Sequence, residues 1–229
     1  MNLKAWIAEL VGTFGFVFVG VGAMLASTFP TGAIGPLGIS LAHGLAIAVL
    51  ATAVGAASGG HLNPALSAAA WLRNRIGFGD MIGYWIAQVA GAILAVRVLS
   101  LCTPGDMPES YGHGLPGFGP QVTLWHAFTF EAVLTFFLAM AFLGTALDKR
   151  GPKVGALFVG LAVTMGSLVG GPFTGGSMNP ARFLGPAVAA SGYENWVVYV
   201  VGPILGAAVA AILYQTLWAD REEEAAAAA

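Results

Sequence analysis

The fold follows from two short stretches: Gly59-Gly60-His61-Leu62-Asn63-Pro64-Ala65 and Gly175-Gly176-Ser177-Met178-Asn179-Pro180-Ala181-Arg182. Each contains Gly-Gly-x-x-Asn-Pro-Ala, and each interrupts apolar sequence at a corresponding place in its half of the 229-residue chain. Proline suits the first position of a helix because its missing N–H would have no partner there, and asparagine is a favoured cap just before it. We therefore predict that each stretch is a glycine-rich loop leading into a short helix.

The composition is that of a membrane protein. Apolar residues make up 57% of the chain and charged residues 9%, whereas about 25% of an ordinary soluble domain is charged. This balance excludes a soluble enzyme and a nucleic-acid-binding protein. The single cysteine, Cys102, excludes a disulfide within the chain, and four scattered histidines beside one cysteine do not form a metal-binding pattern. We expect no cofactor and no metal.

Six apolar segments approach or exceed the roughly 20 residues that cross a bilayer. They cover residues 5–26, 35–56, 81–102, 124–146, 154–170 and 196–218. Two shorter apolar segments, 64–73 and 180–190, follow the Asn-Pro motifs and are predicted to be re-entrant half-helices. The predicted fold class is an all-α membrane protein with six transmembrane helices and two half-helices, in which the first segment is a retained helix rather than a signal peptide.

The chain repeats itself. Residues 8–14 resemble residues 130–136, and each half has two spans, an Asn-Pro half-helix and a third span. Three spans are an odd number, so the second half must cross the membrane in the opposite sense, which makes an inverted 3+3 repeat. We predict one transmembrane domain over residues 1–229, with repeats at about 1–115 and 116–229.

Lysine and arginine in the short loops predict the orientation. Under this topology seven of them lie on one side: Lys4, Arg73, Arg75, Lys149, Arg150, Lys153 and Arg221. Both termini are therefore expected in the cytoplasm of a protein integral to the cell (plasma or inner) membrane. The loop 103–123 becomes a long irregular outer connection, and the acidic tail from Asp220 is expected to be solvated.

The two motifs also indicate which kind of molecule could cross the membrane through this protein. Unwound backbone at membrane depth persists only where protein buries it or where it lines water. Two helix N-termini that face each other place about half a positive charge each at the centre, and the amides of Asn63 and Asn179 can donate to a passing oxygen. Arg182 adds positive field. A neutral molecule is held there and a cation is repelled.

These motifs make the sequence resemble the aquaporin (major intrinsic protein) family over essentially the whole chain, and we expect a prokaryotic member. The resemblance implies six tilted helices and two half-helices around a pore, and homotetramers in the lipid bilayer with one pore in each subunit. It also implies that Asn63 and Asn179 form the pore centre and that Arg182 belongs to an outer constriction.

By the same resemblance, four positions meet at the outer constriction: His43, Ser167, Gly176 and Arg182. Strict water channels usually have an aromatic residue at the first position and histidine at the second, so this selectivity filter is unusual, and we expect it to be wide and polar. It implies passage of water with ammonia, urea, boric acid or hydrogen peroxide, the alternative being a strictly water-selective channel. Glycerol-conducting members of the family typically have aspartate and a basic residue where this chain has Phe183 and Ala187. The resemblance therefore argues against a glycerol channel.

Glu9 and Glu131 are intramembrane carboxylates, which by default suggest a functional site. Because they are related by the repeat, and because unwound loops need acceptors for freed N–H groups, we predict that they support the two loops, as the resemblance also implies. His61 and Ser177, in mirrored positions, are predicted to do the same. A proton- or ion-coupled transporter stays an alternative that would need these glutamates as its ion site. No nucleophile–base constellation is evident, so the protein is not expected to be an enzyme.

Overall fold

The computed structural model of the protein describes residues 2–29, 34–103 and 109–219. Within them the long helices are α1 (Leu3–Ala26), α2 (Gly35–Ser58), α4 (Phe78–Cys102), α5 (Leu124–Ala141), α6 (Gly155–Thr174) and α8 (Trp196–Leu217), and the short helices are α3 (Pro64–Leu72) and α7 (Pro180–Ala190). A π-helical segment, Phe142–Leu147, continues α5. Six of these helical segments are long and apolar enough to cross a membrane. The predicted fold class is confirmed.

The fifth spanning helix is longer than predicted at its C-terminal end. The span predicted at 154–170 continues to Thr174, with Pro172 in its last turn. One proline near a C-terminus removes a single N–H, and the helix ends only where Gly175 turns left-handed at φ 80°. The loop predicted to be irregular over 103–123 contains 3-10 turns within Glu109–Gly114, and they are interrupted by a kink at Gly112 and His113, where φ is positive. Asp106 and the tail from Asp220 lie outside the described residues.

The packing follows the repeat. Within each half the first long helix packs on the last, α1 on α4 and α5 on α8. Between the halves α2 packs on α6, while the half-helices are exchanged, α3 lying on α8 and α7 on α4. Each half-helix is therefore held by the other half of the chain, which brings the two Asn-Pro motifs together in the interior.

Small residues let these helices touch. A Cβ on Gly91 of α4 would collide with the carbonyl of Leu10 in α1, and one on Gly206 of α8 would collide with that of Ala132 in α5. Close backbone approach gains van der Waals contact that lipid cannot replace. The outward faces stay apolar, as at Leu45 and Val49 of α2, which are 55% and 64% exposed.

Candidate functional site

The two half-helices meet end to end through their asparagine caps. Asn63 and Asn179 have extended backbone, and the side-chain oxygen of each accepts the N–H of the alanine two residues on, at 2.9 Å. The amide nitrogen of Asn63 donates to the carbonyl of Met178 at 2.8 Å, and that of Asn179 donates to the carbonyl of Leu62 at 2.8 Å. An amide nitrogen has two hydrogens, so each asparagine keeps one beyond this exchange.

The residues before the asparagines make the exchange possible. Leu62 and Met178 both adopt positive φ, 49° and 51°, a left-handed conformation that is uncommon outside glycine. Both side chains are fully buried, so packing holds the conformation in place. The sequence pattern predicted the loops but not this turn.

Glu9 lies against the first loop with no exposed surface. Its Oε1 accepts from the Ser58 hydroxyl at 2.6 Å and from the backbone N–H of His61 at 2.9 Å. Its Oε2 accepts from the backbone N–H of Leu62 and from the Gln88 amide, both at 2.7 Å. All four donors come from protein, which is how an unwound loop at membrane depth is satisfied.

Glu131 does the same for the second loop. It is also fully buried, and it accepts from the Thr174 hydroxyl at 2.6 Å and from the backbone N–H groups of Ser177 and Met178 at 3.0 and 2.7 Å. The second half has no counterpart to the Gln88 bond among the described residues. The two loops thus share a design, but the first one has an additional donor.

Sequence reasoning missed the hydroxyl and phenol that complete each loop. Ser58 and Thr174 directly precede the Gly-Gly pairs, and this shared hydroxyl was visible in both motifs. Tyr84 donates its phenol to the carbonyl of Ser58 at 2.8 Å, and Tyr199 donates to that of Thr174 at 2.9 Å. No local pattern marks these tyrosines, because they come from α4 and α8.

His61 and Ser177 occupy mirrored places but make different bonds. The His61 ring nitrogen Nδ1 lies 3.1 Å from the Ser67 hydroxyl, and the ring packs edge-on against Tyr84 and Phe142. Ser177 donates to the carbonyl of Asn179 at 3.2 Å. Both side chains are buried beside the asparagines.

A narrow space runs past these groups. Its lining residues are Phe16, Ile47, His61, Asn63, Leu66, Leu138, Val159, Val163, Ser177 and Asn179. The cavity volume is about 10 Å³, close to the smallest space that holds one water molecule. Most of the lining is apolar, and its polar side chains are the two asparagines with His61 and Ser177.

A wider cavity of about 350 Å³ lies beyond the second loop. Its lining includes Met24, Ser40, His43, Ser167 and Arg182. The structure therefore brings three of the four predicted constriction residues to one space. It also adds Met24 and Ser40, which the sequence analysis did not single out.

Arg182 is held by two groups from distant parts of the chain. Its side chain is 3% exposed, Nη1 donates to the carbonyl of Gly114 at 2.6 Å, and Nη2 contacts the sulfur of Met24 at 3.2 Å. A guanidinium has five N–H donors, and these two contacts are the ones that its side chain makes within the described residues. The loop between α4 and α5, together with α1, thus fixes the guanidinium in the wall of the cavity.

His43 on α2 and Ser167 on α6 line the same cavity. Nδ1 of His43 lies 2.9 Å from the carbonyl of Ile39; because a carbonyl only accepts, this nitrogen carries a hydrogen. The hydroxyl of Ser167 accepts a hydrogen bond from that of Ser40 at 3.0 Å. The cavity therefore presents both donors and acceptors.

Gly176 has a different place from the other three. Its φ is 56°, and a Cβ there would lie 3.1 Å from the Cα of Ser167 and 3.2 Å from the carbonyl of Gly166. Glycine is needed because the loop packs directly on α6 in a left-handed conformation. Phe183 is fully buried and its ring stacks on that of Tyr199 with the centroids 4.9 Å apart, so it belongs to the packing of α7 on α8.

Comparison with known proteins gives one consistent result. The sequence model of the family described as "Major intrinsic protein" matches residues 1–214. The chain is 40% identical to "Probable aquaporin TIP3-2" of Arabidopsis thaliana, with 93% of this chain and 83% of that protein covered. It is 43% identical to "Aquaporin-5" of Sus scrofa, with 93% and 80% covered. The X-ray structure of the aquaglyceroporin from Plasmodium falciparum superimposes with a TM-score of 0.82 at 26% identity, over 95% of this chain and 97% of that one.

Proposed function

Because the chain belongs to the major intrinsic protein family and is a membrane channel of the aquaporin type, we propose that it passes water together with small neutral polar solutes. The solutes are of the size and polarity of ammonia, urea, boric acid and hydrogen peroxide. Protons and ions are excluded, and transport is passive. The alternative within this family is a channel that passes water alone.

The proposal rests on the wider cavity of about 350 Å³ beyond the second loop, which we call the outer cavity. Ser167 places a hydroxymethyl group where a histidine would extend further, and its neighbours His43 and Arg182 are polar. Pore diameter and the donors and acceptors along the wall set which solutes pass. We propose that Asn63 and Asn179 form the pore centre and that His43, Ser167 and Arg182 form the filter, with Gly176 shaping the loop behind it.

Ion exclusion is proposed from the central geometry. α3 and α7 begin at Pro64 and Pro180, and their N-termini converge on the asparagines. Both helix dipoles are therefore positive toward the pore, and the buried guanidinium of Arg182 adds a full charge. A cation meets positive potential at both places, whereas a neutral molecule is hydrogen-bonded.

A proton-coupled transporter is disfavoured by the bonds of the two glutamates. The carboxylates of Glu9 and Glu131 accept four and three hydrogen bonds from loop and helix donors. A carboxylate that releases and binds a proton in each cycle would break these bonds each time. We propose that both glutamates, with His61 and Ser177, support the loops.

The test is stopped-flow light scattering of proteoliposomes against water, urea, ammonia, boric acid and hydrogen peroxide. We expect water flux above that of empty vesicles, and flux of at least one other solute. Exclusion of all four solutes would leave the water-only channel. A flux that depends on an imposed proton gradient would instead support the transporter.

Ser167→His tests the width of the filter. The imidazole fills part of the cavity, so we expect urea and boric acid fluxes to fall more than water flux. Ser100→His is the matched control, since Ser100 is exposed near the end of α4 and its hydroxyl donates to the carbonyl of Val96 in its own helix. An unchanged solute-to-water ratio in Ser167→His would contradict the wide-filter proposal.

The protein is an integral multi-pass membrane protein, and we propose its orientation, its membrane and its oligomeric state from the following features. We propose that both termini are cytoplasmic, from the side that carries Lys4, Arg73, Arg75 and Lys153. A cell membrane is the proposed location, and the similarity to plant TIP proteins makes a vacuolar membrane the alternative. The apolar outer faces of the helices fit lipid and the other subunits of a homotetramer, which cross-linking in membranes would detect.

A further inference from the structure

Ser40, which has no role so far, is hydrogen-bonded to the filter residue Ser167. Ser40 lies on α2 and Ser167 on α6, and their oxygens are 3.0 Å apart. Both side chains are buried, at 3% and 8% exposure, and both line the outer cavity. Ser40 lies one helical turn before His43, so α2 presents both residues to the same space.

The chemistry of two hydroxyls leaves groups free for a solute. Each hydroxyl has one hydrogen and two lone pairs, and the bond between them uses one hydrogen and one lone pair. One hydrogen and three lone pairs therefore remain. Neither serine makes a second side-chain hydrogen bond within the described residues.

Ser40 also decides how the Ser167 hydroxyl is used. Serine and threonine inside a helix commonly bond the carbonyl four residues back, as Ser100 does to Val96 at 3.0 Å and Thr52 does to Ala48 at 2.6 Å. Ser167 is held by Ser40 instead. Its hydroxyl is thus kept at the cavity rather than turned back onto its own helix.

The cavity offers complementary groups to the hydroxyl pair. The guanidinium of Arg182 lines the same cavity and donates, and the hydroxyl oxygens of the pair have lone pairs that accept. A planar solute with a carbonyl or hydroxyl oxygen and several N–H or O–H groups can use both kinds of group at once. A water molecule has only two hydrogens and gains less from the arrangement.

We propose that Ser40 is a further specificity-determining residue of the filter, and that the Ser40–Ser167 pair is a subsite for planar solutes such as urea and boric acid. The inference rests on the proposed function, because it assumes that such solutes enter the outer cavity. The subsite replaces hydrogen bonds that the solute loses when it leaves water. It therefore lowers the barrier for these solutes more than the barrier for water.

The experiment compares Ser40→Ala, Ser167→Ala and the double variant in proteoliposomes. Each is measured for the ratio of urea or boric acid permeability to water permeability. Loss of one hydrogen bond corresponds to roughly a fivefold change, so we expect each single variant to lower the ratio about fivefold. The double variant should fall little further, because both changes remove the same subsite. Ser100→Ala is the control for loss of a hydroxyl outside the cavity.

The outcomes separate the proposal from other roles. Removing an oxygen also makes room, so a purely steric role would raise the ratio in Ser40→Ala. A structural role would lower all permeabilities together and leave the ratio unchanged. If the wild-type channel passes urea or boric acid, a raised or an unchanged ratio in Ser40→Ala overturns the subsite. The proposed function would then still stand. A wild-type channel that passes neither urea nor boric acid overturns the subsite together with the proposed solute range.

Discussion

At the scale of the residue, each central loop depends on one carboxylate. Glu9 and Glu131 are fully buried, and each gathers two adjacent backbone N–H groups of its loop. Buried N–H groups that lack an acceptor are costly, so one side chain that satisfies two of them stabilises its loop. Since the loops contain left-handed residues that the chain would otherwise avoid, the carboxylates supply the energy that holds the asparagines in position.

The first prediction is that Glu9→Gln and Glu131→Gln reduce folding more than selectivity. In glutamine, an NH₂ group replaces one of the two carboxyl oxygens, so it would face a backbone N–H that then has no acceptor. Leaving that buried N–H unsatisfied costs roughly 3 kcal/mol. We expect a lower thermal-unfolding midpoint and lower oligomer yield in detergent for both. The solute-to-water ratio of the channels that do fold should stay that of wild type. Stable variants with a changed ratio would show that the glutamates act on the permeant.

A second residue-scale prediction concerns the loop after α5. The side chain of Arg150 hydrogen-bonds Asp148 and holds the pKa of that carboxyl well below its usual range. A lowered pKa means that the contribution to stability is complete above the unfolded pKa of about 4. It is lost as the pH falls below that value toward the folded pKa.

The measurement is the difference in unfolding midpoint between wild type and Asp148→Asn. We expect a constant difference from pH 7 to pH 5 and a smaller one below pH 4. The contribution at neutral pH should be at most about 1 kcal/mol, as for other ion pairs near a protein surface. A difference that grows on acidification would contradict a lowered pKa for Asp148.

At the scale of the element, the α2–α6 pair frames the outer cavity. The two helices cross where Gly44 and Gly160 meet, and a Cβ on either would collide with the backbone carbonyl of the other. Ser40 and Ser167 lie on the same two helices. The close crossing therefore sets the separation across which the two hydroxyls bond.

The third prediction is that Gly160→Ala destabilises the fold and loosens the filter. The added methyl group forces the helices apart, an overpacking that costs roughly 1–3 kcal/mol. We expect a lower unfolding midpoint and a changed solute-to-water ratio. Gly55→Ala is the control, since among the described residues no atom beyond its own turn of helix lies within 4 Å of the Cβ position there. Equal behaviour of the two variants would show that the crossing does not set the spacing.

At the scale of the whole molecule, the inverted repeat directs both half-helix N-termini to one point. α3 and α7 are bonded through Asn63 and Asn179, while α8 and α4 hold them from the opposite halves. Neither half alone completes the central space. The positive potential there comes from the sum of the two dipoles.

The fourth prediction is that water flow through the channel carries no proton current. Osmotic swelling and an internal pH dye are followed in the same proteoliposomes. We expect fast swelling with a proton leak no greater than that of protein-free vesicles. A channel-dependent proton leak that rises with the water flux would contradict exclusion by the central and outer positive groups.

The helical elements could be predicted from local sequence. Length and hydropathy predicted six spanning helices, because a bilayer requires an uninterrupted apolar helix of fixed minimum length. The Asn-Pro repeats predicted two half-helices, because proline and asparagine have strong positional preferences at a helix start. The largest difference between a predicted and an observed boundary, at Thr174, depended on a glycine C-cap rather than on hydropathy.

The surroundings of the site depend instead on the tertiary structure. Gln88, Tyr84 and Tyr199 support the loops from helices far away in sequence, and Gly114 and Met24 hold Arg182 in the same way. Ser40 joins Ser167 only because α2 and α6 cross. No local pattern contains these contacts, since hydrogen bonds between helices depend on how the helices pack, and packing is a property of all the helices together.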